Sequence, residues 1–236
     1  MSDIAAACSS DLAEEVPNTW ARPKVNTDYL IRALAADTKQ PAMQFAYVWA
    51  GAVVLAIAVA VIVFFATLGL RPDFSAAVQT PRFLFKFVVT ISLAVGAFIP
   101  AQALSRPDGQ WRRAIPFLAV APTLLAIAVV VELFILPPDV WTTRTIGKNS
   151  MVCLTYIPLI GIGPLAVFLA VLRHGAPARR TLAGAVCGIF AGAIAATLYA
   201  AQCTDDSPLF VATWYSIAIA GLAIIGAVSA NLSARW

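Results

Sequence analysis

The chain has 236 residues, of which 61% are hydrophobic and only 12% are charged. Soluble domains usually carry about 25% charged residues, so this composition excludes an ordinary soluble globular protein and indicates a membrane protein. The formal net charge of +4 does not predict direct nucleic-acid binding, because the basic residues cluster in short loops beside apolar runs, as membrane topology requires.

The N-terminal segment, residues 1–45, is predicted to lie outside the membrane. Residues 1–25 are polar and contain Cys8, and we expect them to be poorly ordered. Residues 26–39, NTDYLIRALAADTK, predict a short helix with Asn26 as its N-cap. Leu30, Ile31 and Leu34 form an apolar stripe on it, which would dock either into a partner's groove or onto the membrane surface.

Residues 46–236 contain six apolar runs joined by short loops. Each has about 20 residues, the length that crosses a hydrocarbon core of about 30 Å as a helix, and a helix satisfies its own backbone hydrogen bonds. We therefore predict an all-α polytopic membrane protein, a bundle of six transmembrane helices at residues 46–69, 82–104, 114–136, 150–172, 182–202 and 210–232.

Lys and Arg residues are unequally divided between the two sides of this bundle. With the N-terminus inside, eleven of the 16 basic residues fall on the inner side, so the positive-inside rule predicts cytoplasmic N- and C-termini. Trp49 and Trp214 are expected in the aromatic belts at the two interfaces, and Tyr215 is expected to anchor helix six beside Trp214.

Topology separates the cysteines. Cys187 lies within helix five and is interpreted as a packing residue. Cys153 and Cys203 fall on the outer side, at the two ends of the hairpin formed by helices four and five. They could be buried packing residues, a disulfide or soft metal ligands with Asp205 and Asp206 nearby.

Two ionisable residues fall inside predicted helices. Lys86 and Glu132 lie about one turn below the outer ends of helices two and three. A charge in hydrocarbon costs about 2.5–3.5 kcal/mol on insertion scales, so we predict an intramembrane charge pair; the alternative is that each side chain extends separately to the interface.

Two patterns concern helix packing. Gly184, Gly188 and Gly192, spaced four apart in helix five, predict close approach of another backbone. Pro158 and Pro164 predict a kink or break in helix four, and a broken helix together with the charge pair would also suit a small ion or metabolite transporter. No catalytic motif is present in the sequence, so we expect no enzyme.

Several stretches resemble the NrsF family of six-helix membrane anti-sigma factors. They are LIRALAAD at 30–37, PRFLFKFVVT at 81–90, MVCL at 151–154, LRHGAPARRTLAGAVCGIFAG at 172–192 and YAAQCTDDSPLFVATWY at 199–215. The resemblance covers the chain from about residue 26 to its C-terminus and carries the spacing of the two outer cysteines.

The resemblance implies a regulator in the bacterial inner membrane that sequesters an extracytoplasmic-function sigma factor. Its sigma-binding segment maps to Asp28, Leu30, Ile31, Leu34 and Asp37. Its periplasmic sensor of heavy-metal or oxidative stress maps to Cys153 and Cys203. No resident cofactor is expected, and a heavy-metal ion would bind the cysteine pair only transiently. Membrane lipid is the other expected partner.

Overall fold

The computed structural model describes Asp28, Ile31, Arg32 and residues 41–106, 109–175, 177 and 179–232, with side chains from Phe45 onward in the long ranges. The chain divides into two units, Met1–Gln44 and Phe45–Trp236. In the first unit, Asp28, Ile31 and Arg32 are helical and exposed. Leu30, Leu34, Asp37 and Cys8 lie outside the described residues.

Six long helices form the framework of the described residues from Pro41 onward, and the described residues contain no strand. Their bounds are α1, Pro41–Thr67; α2, Pro81–Leu104; α3, Val120–Ile135; α4, Ser150–His174; α5, Arg180–Ala200; and α6, Ser216–Leu232. Short helical turns extend them at Phe74–Ala77, Trp111–Ala114, Ile115–Ala119, Pro138–Val140, Trp141–Ile146, Pro208–Phe210 and Val211–Tyr215. Within the described part of the chain, six helical stretches are long and apolar enough to cross a membrane, which confirms the predicted fold class.

Helix α5 is the central helix of the bundle and packs against α2, α4 and α6. A methyl group added at Gly184 would meet the backbone of Gly226, and one at Gly188 would meet the backbone of Leu222 and Ala223. The glycine pattern of α5 therefore allows the backbones of α5 and α6 to approach closely, as predicted from the four-residue spacing.

Helix α3 lies at the edge of the bundle, where it packs mainly against α2. Its large apolar side chains point outward, and Phe134 is 88% exposed. In a bilayer this surface meets lipid rather than water, so its exposure stabilises insertion instead of costing free energy.

The interior differs from the sequence prediction at Trp49 and in α4. Trp49 is fully buried and stacks on Phe168 with ring centroids 5.9 Å apart, so it belongs to the core and not to an aromatic belt. Helix α4 runs without a break through Pro158 and Pro164, so the predicted interruption is wrong.

Successive helices run in opposite directions, so the ends of three helices and the starts of the other three lie at the same end of the bundle. Helices α1, α3 and α5 finish, and α2, α4 and α6 begin, at the end that contains Cys203. We call it the cysteine end of the bundle.

Candidate functional site

Residues 203–207 form a non-helical segment between α5 and the turn that leads into α6. We call this segment the polar loop. Its backbone has no regular pattern of hydrogen bonds, so the position of the loop depends on side-chain contacts with neighbouring parts of the bundle. Those contacts come from four parts of the bundle and surround the loop that carries Cys203.

The Asp205 carboxylate attaches the polar loop to the start of α4. Its Oδ2 accepts hydrogen bonds from the backbone N–H groups of Lys148 at 3.0 Å and Asn149 at 2.9 Å, and from Asn149 Nδ2 at 2.9 Å. Backbone donors at a helix start lack intrahelical partners, and the helix dipole favours a negative charge there. Cys153 lies one turn further along α4, where its N–H donates to the Asn149 carbonyl at 2.8 Å.

Two cations hold the loop from the other side. Lys86, 1% exposed, donates to the Cys203 carbonyl at 2.9 Å and lies 2.5 Å from Asp206 Oδ1. Arg71 pairs with Asp73 at 2.5 Å and lies 3.4 Å from Asp206 Oδ2. The hydrogen bond between Arg71 and Asp73 raises the pKa of Arg71 and lowers that of Asp73, so both stay ionised and form an ion pair beside the loop.

Glu132 takes a different set of partners. Its Oε2 accepts hydrogen bonds from Ser207 Oγ at 2.9 Å and from the Leu209 N–H at 3.2 Å, and Arg82 lies 3.8 Å from its Oε1. Glu132 therefore caps the helical turn that leads into α6. Its predicted pairing with Lys86 is corrected: both charges lie at the same end, but each takes partners from the 203–209 segment.

Cys153 and Cys203 are free, buried thiols that lie near each other. Burial raises the pKa of the Cys203 thiol, and the Lys86 charge acts in the opposite direction. Cys203 Sγ contacts the Asp205 carbonyl at 3.7 Å. The topology prediction that placed these two cysteines at one end therefore corresponds to a real juxtaposition in the fold.

Two tyrosines, not singled out as site residues from the sequence, complete the surroundings of the thiols. Tyr199 and Tyr215 pack edge to face with ring centroids 5.7 Å apart, and both lie beside Cys203. Tyr215 is only 2% exposed, so its predicted role as an interface anchor is corrected to one in the core. A π-helical turn at Val211–Tyr215 positions it, and such turns often mark functional sites.

The carboxylates next to the thiols are already bonded to protein groups. Asp205 binds the start of α4, and Asp206 binds Lys86 and Arg71. Over the described part of the chain, no group of three or more His, Cys, Asp or Glu residues is arranged to hold a metal ion. The chemistry available here is that of two neighbouring thiols. Cys187 takes no part, since it is buried sixteen residues earlier in α5, about 24 Å away along the helix.

The comparisons with known proteins agree on one family. The family model described as "Negative regulator of sigma F" matches residues 34–236. The chain belongs to the NrsF family. It is 34% identical over 219 residues to "Anti-sigma-F factor NrsF" of Caulobacter vibrioides (strain NA1000 / CB15N), covering 90% of this chain and 100% of that protein.

A second relative of this NrsF-family protein is "Probable anti-sigma-F factor NrsF" of Azospira oryzae (strain ATCC BAA-33 / DSM 13638 / PS), 28% identical over 216 residues, again 90% of this chain and 100% of the relative. No solved structure matches the chain. Family membership makes the protein an anti-sigma factor, a regulator and not an enzyme, whose partner is a sigma factor.

Proposed function

We propose that this anti-sigma factor sequesters an extracytoplasmic-function sigma factor at the inner membrane and releases it when Cys153 and Cys203 react with a heavy metal or an oxidant. In this proposal the N-terminal segment is cytoplasmic and the cysteine end is periplasmic. The excess of Lys and Arg on the N-terminal side supports that orientation.

One observation carries the proposal: the thiols lie where a single loop is bonded to four parts of the bundle. The loop and the residues beside it contact the α1–α2 connection through Arg71, α2 through Lys86, α3 through Glu132 and α4 through Asn149. A bond formed between the two thiols, or from both to one metal ion, would move the loop. Every helix bonded to it would then be under a changed constraint.

The proposal requires coupling between the cysteine end and the cytoplasmic segment. Such coupling exists when the bundle has two arrangements and sigma binding favours one of them. In this proposal, the tight α5–α6 packing at Gly184 and Gly188 couples a movement of α6 to α5. The π-helical turn beside Tyr215 provides a place where α6 can change register.

The sigma-binding surface of the proposal is the apolar stripe on residues 26–39, together with Asp28 and Asp37. Ile31 is 57% exposed. A helix of about a dozen residues is marginally stable alone in water and gains stability by docking in a partner groove. Docking on the membrane surface is the competing use of the same stripe.

The proposal is tested by copurifying the sigma factor with the tagged full-length protein. We expect Ile31→Asp to reduce the copurified sigma factor by about tenfold or more, because it buries a charge in an apolar contact. Arg32→Gln is the matched control, since it changes the net charge equally at the next position. Equal retention by wild type and Ile31→Asp would refute the proposed surface.

A further inference from the structure

The two thiols are positioned by different means. Cys153 lies on the regular backbone of α4 and is fixed by the helix. Cys203 lies on the polar loop, where only its N–H retains a helix-type bond, to the Tyr199 carbonyl at 3.0 Å. Its carbonyl points to side chains of other elements. The separation of the two sulfur atoms therefore depends on whatever holds that carbonyl.

Lys86 is the principal group that holds it. Its ammonium donates to the Cys203 carbonyl at 2.9 Å and to the Asp205 carbonyl at 3.5 Å, and it lies 2.5 Å from Asp206 Oδ1. It also lies 5.3 Å above the centre of the Phe83 ring. The ammonium therefore donates two hydrogen bonds to loop carbonyls and forms an ion pair with a loop carboxylate. The single cation thus binds the loop at three residues, Cys203, Asp205 and Asp206.

Arg71 shares two of these partners, but at longer distances: it lies 3.4 Å from Asp206 Oδ2. Arg71 also reaches the Cys203 carbonyl, at 3.5 Å, but its short contacts at 2.5 and 2.6 Å go to Asp73. Asp205 fixes the loop toward α4, on the Cys153 side. Without Lys86, the loop would keep its attachment to α4 but lose its attachment to α2.

We propose that Lys86 is a positioning residue of the thiol pair: it fixes the Cys203 backbone so that both sulfur atoms are presented to one bridging atom. The inference rests on the proposed sensor role of the pair and adds the residue that sets how readily the pair is bridged. The thiol pair would react with any agent that bonds two thiols at once, such as a thiophilic metal or a trivalent arsenical.

The test uses full-length protein in membranes, with Cys8→Ser and Cys187→Ser so that only the pair remains. Phenylarsine oxide is the bridging probe: its arsenic forms two As–S bonds, and its oxygen leaves as water with the two thiol protons. N-ethylmaleimide, which reacts with one thiol at a time, is the reference. The ratio of the two rates reports sulfur–sulfur geometry and not mere access.

We expect Lys86→Met to lower that ratio by about tenfold or more, because closing a bridge depends steeply on how the reacting atoms are placed. Lys86→Arg should restore much of it, since a guanidinium also donates to carbonyl and carboxylate oxygens. Arg144→Met is the matched control: it removes an exposed cation from the short helix before α4, at a residue outside the contacts of the polar loop, and should leave the ratio unchanged.

A wild-type ratio in Lys86→Met would overturn the proposal. So would an equal loss in Lys86→Arg, because that outcome would mean that any change at this position disturbs folding. Asp206→Asn, which keeps the cation but weakens its partner, should give an intermediate ratio, and an unchanged ratio would also count against the proposal. Failure of the sensor role is distinguishable, since Cys153→Ser and Cys203→Ser would then leave stress-triggered sigma release unchanged whatever the Lys86 ratio is.

Discussion

Asp205 Oδ2 lies 2.9 Å from both the backbone nitrogen and the side-chain nitrogen of Asn149, the residue that precedes α4. This contact joins the loop that carries Cys203 to the helix that carries Cys153. The two thiols belong to one site because a carboxylate satisfies the free donors of a helix start.

Removing that carboxylate should loosen the cysteine end. We expect Asp205→Ala to lower stability by about 1.5–3 kcal/mol, the range for hydrogen bonds to a charged group, measured as a lower apparent Tm of detergent-purified protein. Asp139, exposed and outside the site, provides the control: Asp139→Ala should leave Tm within a degree or two of wild type. Equal effects of the two substitutions would contradict the proposed attachment.

Glu132 should act as a cap and not as a transport group. Glu132→Ala leaves the Ser207 hydroxyl and the Leu209 N–H without their acceptor, and each buried unsatisfied group costs about 1–3 kcal/mol. Glu132→Gln keeps a carbonyl acceptor, so it should lose clearly less. Thermal unfolding of both variants checks whether the alanine variant is the less stable of the two. An alanine variant as stable as the glutamine variant would argue against capping.

The α5–α6 contact predicts opposite outcomes for the same substitution. Gly188→Ala would push a methyl group into the backbone of Leu222 and Ala223, so we expect a loss of about 1–3 kcal/mol from overpacking. At Gly221 there is nothing within 4 Å, so Gly221→Ala should stabilise α6 by about 0.5–1 kcal/mol. Apparent Tm values that shift in the same direction for both variants would contradict the described packing.

Sequence periodicity and length predicted the parts of the fold that depend on position along a helix. The six spans, the small-residue face of α5 and the shared end of Cys153 and Cys203 all follow from depth and helix direction. The identity of the side chains that pair with each other does not follow from depth and helix direction. Lys86 and Glu132 were correctly placed at one depth, yet hydropathy carries no information about side-chain direction around the helix axis, so their separate partners were missed.

The polar loop could not be derived for a related reason. Its five residues have no periodicity, and which cation binds Asp206 depends on how the loop folds between α2 and α4. Trp49 and Tyr215 show the same limit: their sequence positions suit an interface belt, but packing against Phe168 and Tyr199 places both in the core. One signal in the sequence could have predicted the contacts of the polar loop. Asp205 and Asp206 carry charges opposite to those of Arg71 and Lys86, so charge complementarity favours pairing between the two sets.

The central claim is that the thiol pair controls release of the sigma factor. Its most direct measurement is sigma factor copurified with full-length protein before and after cells receive cadmium or an oxidant, for wild type, Cys153→Ser, Cys203→Ser and the control Cys187→Ser. We predict that all four proteins bind the sigma factor in unstressed cells, and that stress releases it from wild type and Cys187→Ser but not from Cys153→Ser or Cys203→Ser. Release of the same size from all four would contradict the account.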